Sequence, residues 1–538
     1  MQRRSMIKGT IASVGLAYSY RSFASPGNRQ RRDIASFNDN ELQIFREAIR
    51  TMQARSASDP SSWNFLAAVH RYMTYASNVE AKEQQPADLL KTIDFDALAA
   101  VPTADRQKYW GTCIHHDLPL KGHFLSWHRL YLWHFETALL AAMETAALQL
   151  GIPQSIKGVP YWDYYRSPQL PAAFRNPIAA GRPNPLHVPY RNARFNDGTK
   201  SMPAFSLAAF RAGDTLNQPS SIDGETRHGF SGALEATIHD YVHGELGGLM
   251  TNQKSASWDP VFWLHHTNID RLWTIWQNRM SAAPDTSLSP AWRQQRFKFI
   301  INSQGEIFER SAGTAADSKA FAPQTVTYDN LAPPPDTPIT PVPAPPPVIA
   351  VAAAIHTDKM GTNALTSDVS KVAVTNSGGT IKLNVPARSR SRLGTLGTKS
   401  NTSSGGKALT WAAVVLEGVS VTEQGQRDGF VYQLYINLPG SQDRAIDPEI
   451  YKIGALNAFT LSCGDPDVCT SGKTNVRFVV TEKLIKIIND KKAPDSIDVS
   501  LVRVTAIGSD GRPLPPQDSP ALLEIAAMRL EGSDDPVM

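Results

Sequence analysis

Apolar residues recur at helical spacing through the first half of the chain and at strand spacing through the second. Leu42, Phe45, Ile49 and Met52 mark one face of a helix over 39–54, with Asn38 or Asp39 as its cap. A second helix runs from Ser62 through Trp63, Leu66, Val69, His70 and Met73. A third begins near Phe124 and carries Trp127, His128, Tyr131, Phe135 and Leu139; a fourth spans Leu234 to His243 and a fifth Phe262 to Trp276. From Leu331 to Pro347 nine of seventeen residues are proline, which forbids helix or inner strand and favours extended chain. Beyond this boundary come short β-branched and aromatic runs, Lys371–Val374, Leu409–Val421, Phe430–Asn437, Asn475–Thr481 and Ile497–Val504, separated by Gly, Pro, Ser and Asn turns. The expected fold is a mainly α domain, a helix bundle, over 31–330, a Pro-rich linker over 331–347, and an all-β sandwich or barrel over 348–538.

Composition narrows the class without naming the chemistry. The 538 residues are 41% hydrophobic, 19% charged and 9% aromatic, which excludes wholesale disorder, collagen-like repeats and a disulfide-dense mini-scaffold. The longest apolar runs, such as Val348–Ile355, fall short of the roughly 20 residues a membrane helix needs, so no membrane partner is expected. The net charge of +4 is carried by Arg3, Arg4, Lys8 and Arg21, in a stretch of 24 residues with no acid. The neutral body gives no reason to propose a nucleic-acid partner. Twelve of the thirteen His lie between His70 and His266, so the chemistry belongs to the helical half.

Its strongest signal is His239-Asp240-Tyr241-Val242-His243, followed by Asp259-Pro260-Val261-Phe262-Trp263-Leu264-His265-His266. Positions i and i+4 share a helix face, so His239 and His243 can aim both imidazoles at one ion. The helix bearing His265 and His266 offers the third. A second set lies upstream: Cys113, His115, His116, His123 and His128, with His70 on its own earlier helix. Imidazole clusters without carboxylate ligands or a four-thiolate set suit copper better than magnesium or calcium. Zinc peptidases also use His-x-x-x-His, but with Glu after the first His, where this chain has Asp240.

These residues resemble the type 3 copper proteins, the tyrosinase and polyphenol oxidase family. The resemblance rests on Phe124-Leu125-Ser126-Trp127-His128-Arg129-Leu130-Tyr131-Leu132 with Phe135-Glu136 for one copper. For the other it rests on Leu234-Glu235, His239, His243, Gly247-Gly248, Asp259-Pro260, His265-His266 and Ile269-Asp270-Arg271-Leu272-Trp273. It covers about residues 31–330. It implies two copper ions, Cu(I)/Cu(II), with dioxygen as co-substrate and a small phenol as substrate: ortho-hydroxylation of monophenols and oxidation of o-diphenols to o-quinones. His239, His243 and His266 would hold one ion, His265 being the family's non-ligand neighbour; His70, a loop histidine and His128 would hold the other.

For the loop ligand His115 comes first, its Cys-x-His context matching the form in which Cys113 is bonded to the ligand ring as a thioether; His123 comes next and His116 last. Cys463 and Cys469 lie close together in the chain and leave Cys113 over; paired as a disulfide they would fit an exported protein. Asp270, four residues after His266, is the expected acceptor fixing a ligand ring. Glu235 and Asp240 would polarise a water that takes the phenolic proton, whose pKa near 10 leaves little phenolate at neutral pH. In relatives of this length a β-rich domain lays a side chain over the copper pair and keeps the enzyme latent until the linker, cleavable by composition, is cut. The first 24 residues resemble a twin-arginine export signal, Gln2-Arg3-Arg4-Ser5-Met6-Ile7-Lys8; if it acts as one the protein is periplasmic or secreted, and otherwise cytoplasmic. Catechol oxidase, o-aminophenol oxidase and, from another class, a hemocyanin-like oxygen carrier remain the alternatives, and the oligomeric state stays open.

Overall fold

A computed structural model describes residues 29–71, 93–113, 122–203, 229–279, 288–300, 306–317, 326–335, 364–397, 408–439, 450–461, 473–490, 493–504, 507–508, 512, 514 and 519–534. The export-like segment, most of the Pro-rich stretch, His115, His116, Cys463 and Cys469 lie outside these residues.

Helix α1 (Asp39–Ala54) begins with a capping box: the Asn38 side chain accepts from the Glu41 amide and Glu41 accepts from the Asn38 amide. Helix α2 (Trp63–His70) is capped by Ser62. The long α3 (Phe124–Leu150) is buried nearly all round in its first half and stops at Gly151, whose φ of 66° suits a residue without a Cβ. A π-helical turn, Glu235–His239, leads into α4 (Asp240–Leu246). Helix α5 (Pro260–Arg279) starts at Asp259, whose side chain accepts from the Val261 amide and is clamped by Arg191 at 2.8 and 2.7 Å. Strand β1 (Arg29–Arg31) pairs in parallel with β3 (Val326–Tyr328) and closes the ends of the helical part together.

The chain after residue 364 forms two four-stranded antiparallel sheets among the described residues. One runs in the order β9 (Thr474–Val479), β6 (Trp411–Val421), β12 (Leu523–Ser533), β4 (Val369–Val374). The other runs β8 (Lys452–Asn457), β7 (Val431–Ile436), β10 (Ser496–Arg503), β5 (Gly379–Asn384). Val414, Leu416, Leu434, Ile436, Val499, Leu501, Ile525 and Leu530 from both sheets share one core, as alternating inward residues should. This part is not all β, contrary to the sequence expectation: Thr481–Asp490 is a helix packing Leu484, Ile485 and Ile488 on that core, a 3.6-residue period adjoining a strand pattern.

The two halves are interlocked. Strand β2 (Lys200–Ser201) pairs with β11 (Ile507–Gly508). Gly429 comes so close to α4 that a Cβ there would meet the Gly244 carbonyl oxygen at 2.0 Å, and its φ of 65° is a conformation that glycine alone takes readily. The buried Glu245 carboxylate is bridged by Lys200 at 2.7 Å and by Arg503, from β10, at 2.5 Å. Burial would raise the Glu245 pKa, but these two cations pull it down to about 2.

Candidate metal centre

Four helices converge on one aromatic chamber. His70 closes α2, His128 sits one turn into α3, His239 ends the π-helical turn, His243 lies on α4, and His265 and His266 lie on α5. All six are buried. Their donor atoms sort into two groups, each within 4.8 Å: His70, Cys113 and His128, and His239, His243, His265 and His266. The groups abut, because the His128 and His266 rings stack at 4.2 Å and 13°. Phe262 lies 5.1 Å from His70 and 4.2 Å from His266, and Phe124 lies 5.0 Å from His128 and 4.7 Å from His239.

Backbone carbonyls set the tautomers. His70 Nδ1 donates to the Gln253 carbonyl at 3.1 Å, His128 Nδ1 to Phe124 at 2.8 Å and His243 Nδ1 to Met250 at 2.9 Å. Each bond fixes the proton on Nδ1 and leaves the Nε2 lone pair for an ion. His239 Nδ1 is held instead by the Asp240 carboxylate at 2.9 Å. His243 Nε2 and His266 Nε2 face one another at 3.4 Å, a close approach that a cation between them would relieve. Burial drives the pKa of His128 and of His243 down to about 3. Burial, reinforced by neighbouring imidazoles, lowers His70, His265 and His266 as well. Neutral, pre-oriented imidazoles in two adjoining sets are a donor array that fits two copper ions.

Other expected residues fall differently. His123 belongs to neither group: it stacks on Trp292 at 4.8 Å, and Ser126 lies 3.3 Å from its Nδ1. Cys113 is buried with its Sγ 3.9 Å from His128 Nε2, while the thioether partner expected for it, His115, lies outside the described residues. Asp270 does not fix a ligand ring, which corrects the sequence reading. Its carboxylate is taken by Arg129 at 2.6 Å, Arg31 at 2.9 Å and Tyr328 at 2.5 Å; two guanidiniums outcompete an imidazole. Arg31 also binds Glu136, so Asp270 ties α5, β1 and α3 into the frame behind His128. Glu235, which opens the π-helical turn, and Asp240, the first residue of α4, are both buried on either side of the stretch that ends in His239.

One residue escaped the sequence reading. Phe459, on the short helix α6 (Ala458–Leu461) after β8, belongs to the core of the helical half, whereas its neighbours Ala458 and Leu461 pack in the sheet core. Its ring stacks on His243 at 4.0 Å and 23° and stands edge-on to His239 at 5.4 Å. No pattern in its local sequence marks it.

The helices thus bring to one buried core two adjoining groups of side chains, each able to hold a metal ion. Residues 60–205 and 208–279 match the family model of the common central domain of tyrosinase. Through that domain the chain is similar to the tyrosinase family of type 3 copper proteins, in which two coppers form the cofactor. It is 29% identical over 291 residues to a tyrosinase of Hahella sp., covering 50% of this chain and 58% of that protein. It is 27% identical over 268 residues to a hemocyanin of Enteroctopus dofleini, covering 46% of this chain and 7% of that protein. A solved structure of latent apple tyrosinase covers 95% of this chain and 99% of its own at 17% identity and a TM-score of 0.46. The chain thus spans little more than half the length of the Hahella tyrosinase.

Proposed function

We propose that this protein is a copper-dependent phenol oxidase whose C-terminal part keeps it latent. In this reading His239, His243 and His266 hold one copper, and His70, His128 and a loop histidine, His115 first, hold the other. The pair supplies the two-electron chemistry that lets dioxygen oxidise a phenol. The observation that carries the proposal is the stacking of His128 on His266, which sets two imidazole groups side by side. The chain's own residues do the rest. Phe124 and Phe262 keep water from the rings, the carbonyls of Phe124, Gln253 and Met250 hold the proton on Nδ1, and Asp240 orients His239. Glu235 and Asp240 polarise a water that accepts the proton of a monophenol, which favours tyrosinase over a diphenol-only oxidase.

Latency follows from Phe459, whose ring lies over His243 where a planar substrate would stack. The test is copper content per chain together with oxygen uptake on an o-diphenol and on a monophenol, before and after cleavage within 331–347 and displacement of the C-terminal part. Two coppers with diphenol turnover appearing on displacement support the reading; one ion or none, or no turnover in any form, overturns it. The match to a hemocyanin favours an oxygen carrier as second reading, which predicts reversible oxygen binding with little turnover after displacement.

A further inference from the structure

A cavity of about 300 Å³ opens beside the chain that leaves β1, and the proposed chemistry makes no use of it. Its walls are mostly apolar, with Ile34, Phe37, Trp162 and Leu170 all buried, and two charged side chains, Asp33 and Arg175, complete them. That volume is the lower end of the range for small-molecule sites, which combine apolar walls with a few polar groups. The cavity is not part of the metal chamber. Trp162 lies 5.6 Å from the Tyr164 ring and Tyr164 in turn 5.9 Å from His265, so an aromatic residue stands between this wall and the imidazoles.

Both charges of the wall are unspent. Asp33 accepts from the Ala35 amide at 3.0 Å and forms no ion pair among the described residues. The cation in its neighbourhood, Arg271, is already held by Asp163 at 3.3 Å and by the Asn330 carbonyl at 2.6 Å. Burial, reinforced by the Asp163 and Asp329 carboxylates, pushes the Asp33 pKa up to about 6, against the pull of the Ala35 amide and of Arg271. A carboxylate so placed is short of a cation. Arg175 has no carboxylate partner among the described residues, and its Nε is buried without a hydrogen bond, a deficit that an anionic ligand would make good. Trp162, by contrast, has given its N–H to the Ser167 carbonyl at 2.7 Å and offers the cavity ring surface alone. An acid in need of a cation, a guanidinium in need of an anion and an aromatic lining together describe a zwitterion with an aromatic body.

We propose that this cavity binds a free aromatic amino acid, its ammonium on Asp33, its carboxylate on Arg175 and its ring against Phe37 and Trp162. The inference is independent of the two-metal reading, since no residue of the imidazole groups takes part.

Phenylalanine is the probe, because it carries both charges and no phenolic hydroxyl to be oxidised. Its binding to the full-length chain is measured by isothermal titration calorimetry beside phenethylamine and hydrocinnamate, which keep one charge each. Phenylalanine should bind saturably, and each analogue about tenfold or more weakly, the loss of one hydrogen bond to a charged group. Asp33→Asn keeps an acceptor for the Ala35 amide and should erase the advantage of phenylalanine over hydrocinnamate; Arg175→Met should erase its advantage over phenethylamine. Ala172→Trp, at an exposed position of the same wall, fills the cavity and should abolish binding while the melting temperature stays near the parent's. No saturable binding of phenylalanine to the parent, equal affinity for either singly charged analogue, or undiminished binding in a folded Ala172→Trp would overturn the proposal.

Discussion

Replacing Phe459 by Ala separates a blocking side chain from one that merely fills the core. The ring is buried against His243 and His239, and full burial of a phenylalanine side chain is worth about 1.5–3 kcal/mol. A phenol entering the site must displace that contact. At about 1.4 kcal/mol per tenfold, this suppresses access by roughly one to two powers of ten. In Phe459→Ala the vacated volume is about that of the aromatic ring of the substrate, so the intact chain should oxidise a simple o-diphenol without proteolysis, read as quinone absorbance. Phe459→Leu retains most of the bulk and should stay nearly silent. The same truncation should destabilise the protein by about 3–5 kcal/mol, visible in its melting temperature. If Phe459→Ala folds and remains as inactive as the parent, while the same variant becomes active once the C-terminal part is displaced, Phe459 is not the block.

The other expectations concern the metals, the proton and the contact between the two halves. His239→Ala or His266→Ala should each lose copper from one position and all oxidation; full activity with near two coppers by elemental analysis contradicts the ligand assignment. Asp240→Leu removes both the hydrogen bond to His239 and the proposed polarisation of water, so monophenol hydroxylation should fall further than diphenol oxidation; equal losses leave Asp240 a purely orienting role. Arg503→Met strips one of the two cations from buried Glu245, a loss of roughly 3–5 kcal/mol when a buried pair is broken and nearer the lower figure because Lys200 remains. After cleavage within 331–347 the C-terminal fragment of that variant should separate on size exclusion under conditions where the parent's fragment stays bound; co-elution of both would show that Arg503 does not hold the halves together.

What the sequence made legible is what is local. Asn38 with Glu41 and Ser62 with the Phe65 amide are caps written in adjacent residues, and the i, i+4 pair His239 and His243 needs only a helix to converge. Even there the local rule was incomplete, since the π turn at Glu235–His239 adds a residue to the helical repeat just ahead of the site and no residue type announces it. Asp270 shows where spacing misleads. Helical periodicity set it one turn beyond His266, but Arg31, 239 positions upstream, and Arg129 reach the carboxylate first. Charge pairing in a dry core outweighs a neutral hydrogen bond, and only tertiary structure supplies the competitor.

Phe459 and Glu245 extend the same logic to the whole molecule. One is an apolar residue whose neighbours pack in a different core; the other is an acid two residues past His243 whose cations come from β2 and β10. Neither means anything until the two halves meet, and both lie on or against the helix that carries His243. The contact that shields the imidazoles and the contact that docks the C-terminal part therefore share one rigid element. Loosening the Arg503 clamp should accordingly raise oxidation by the uncut chain as well as release of the cut fragment. If Arg503→Met freed the fragment yet left the uncut protein fully silent, docking and shielding would be separate devices.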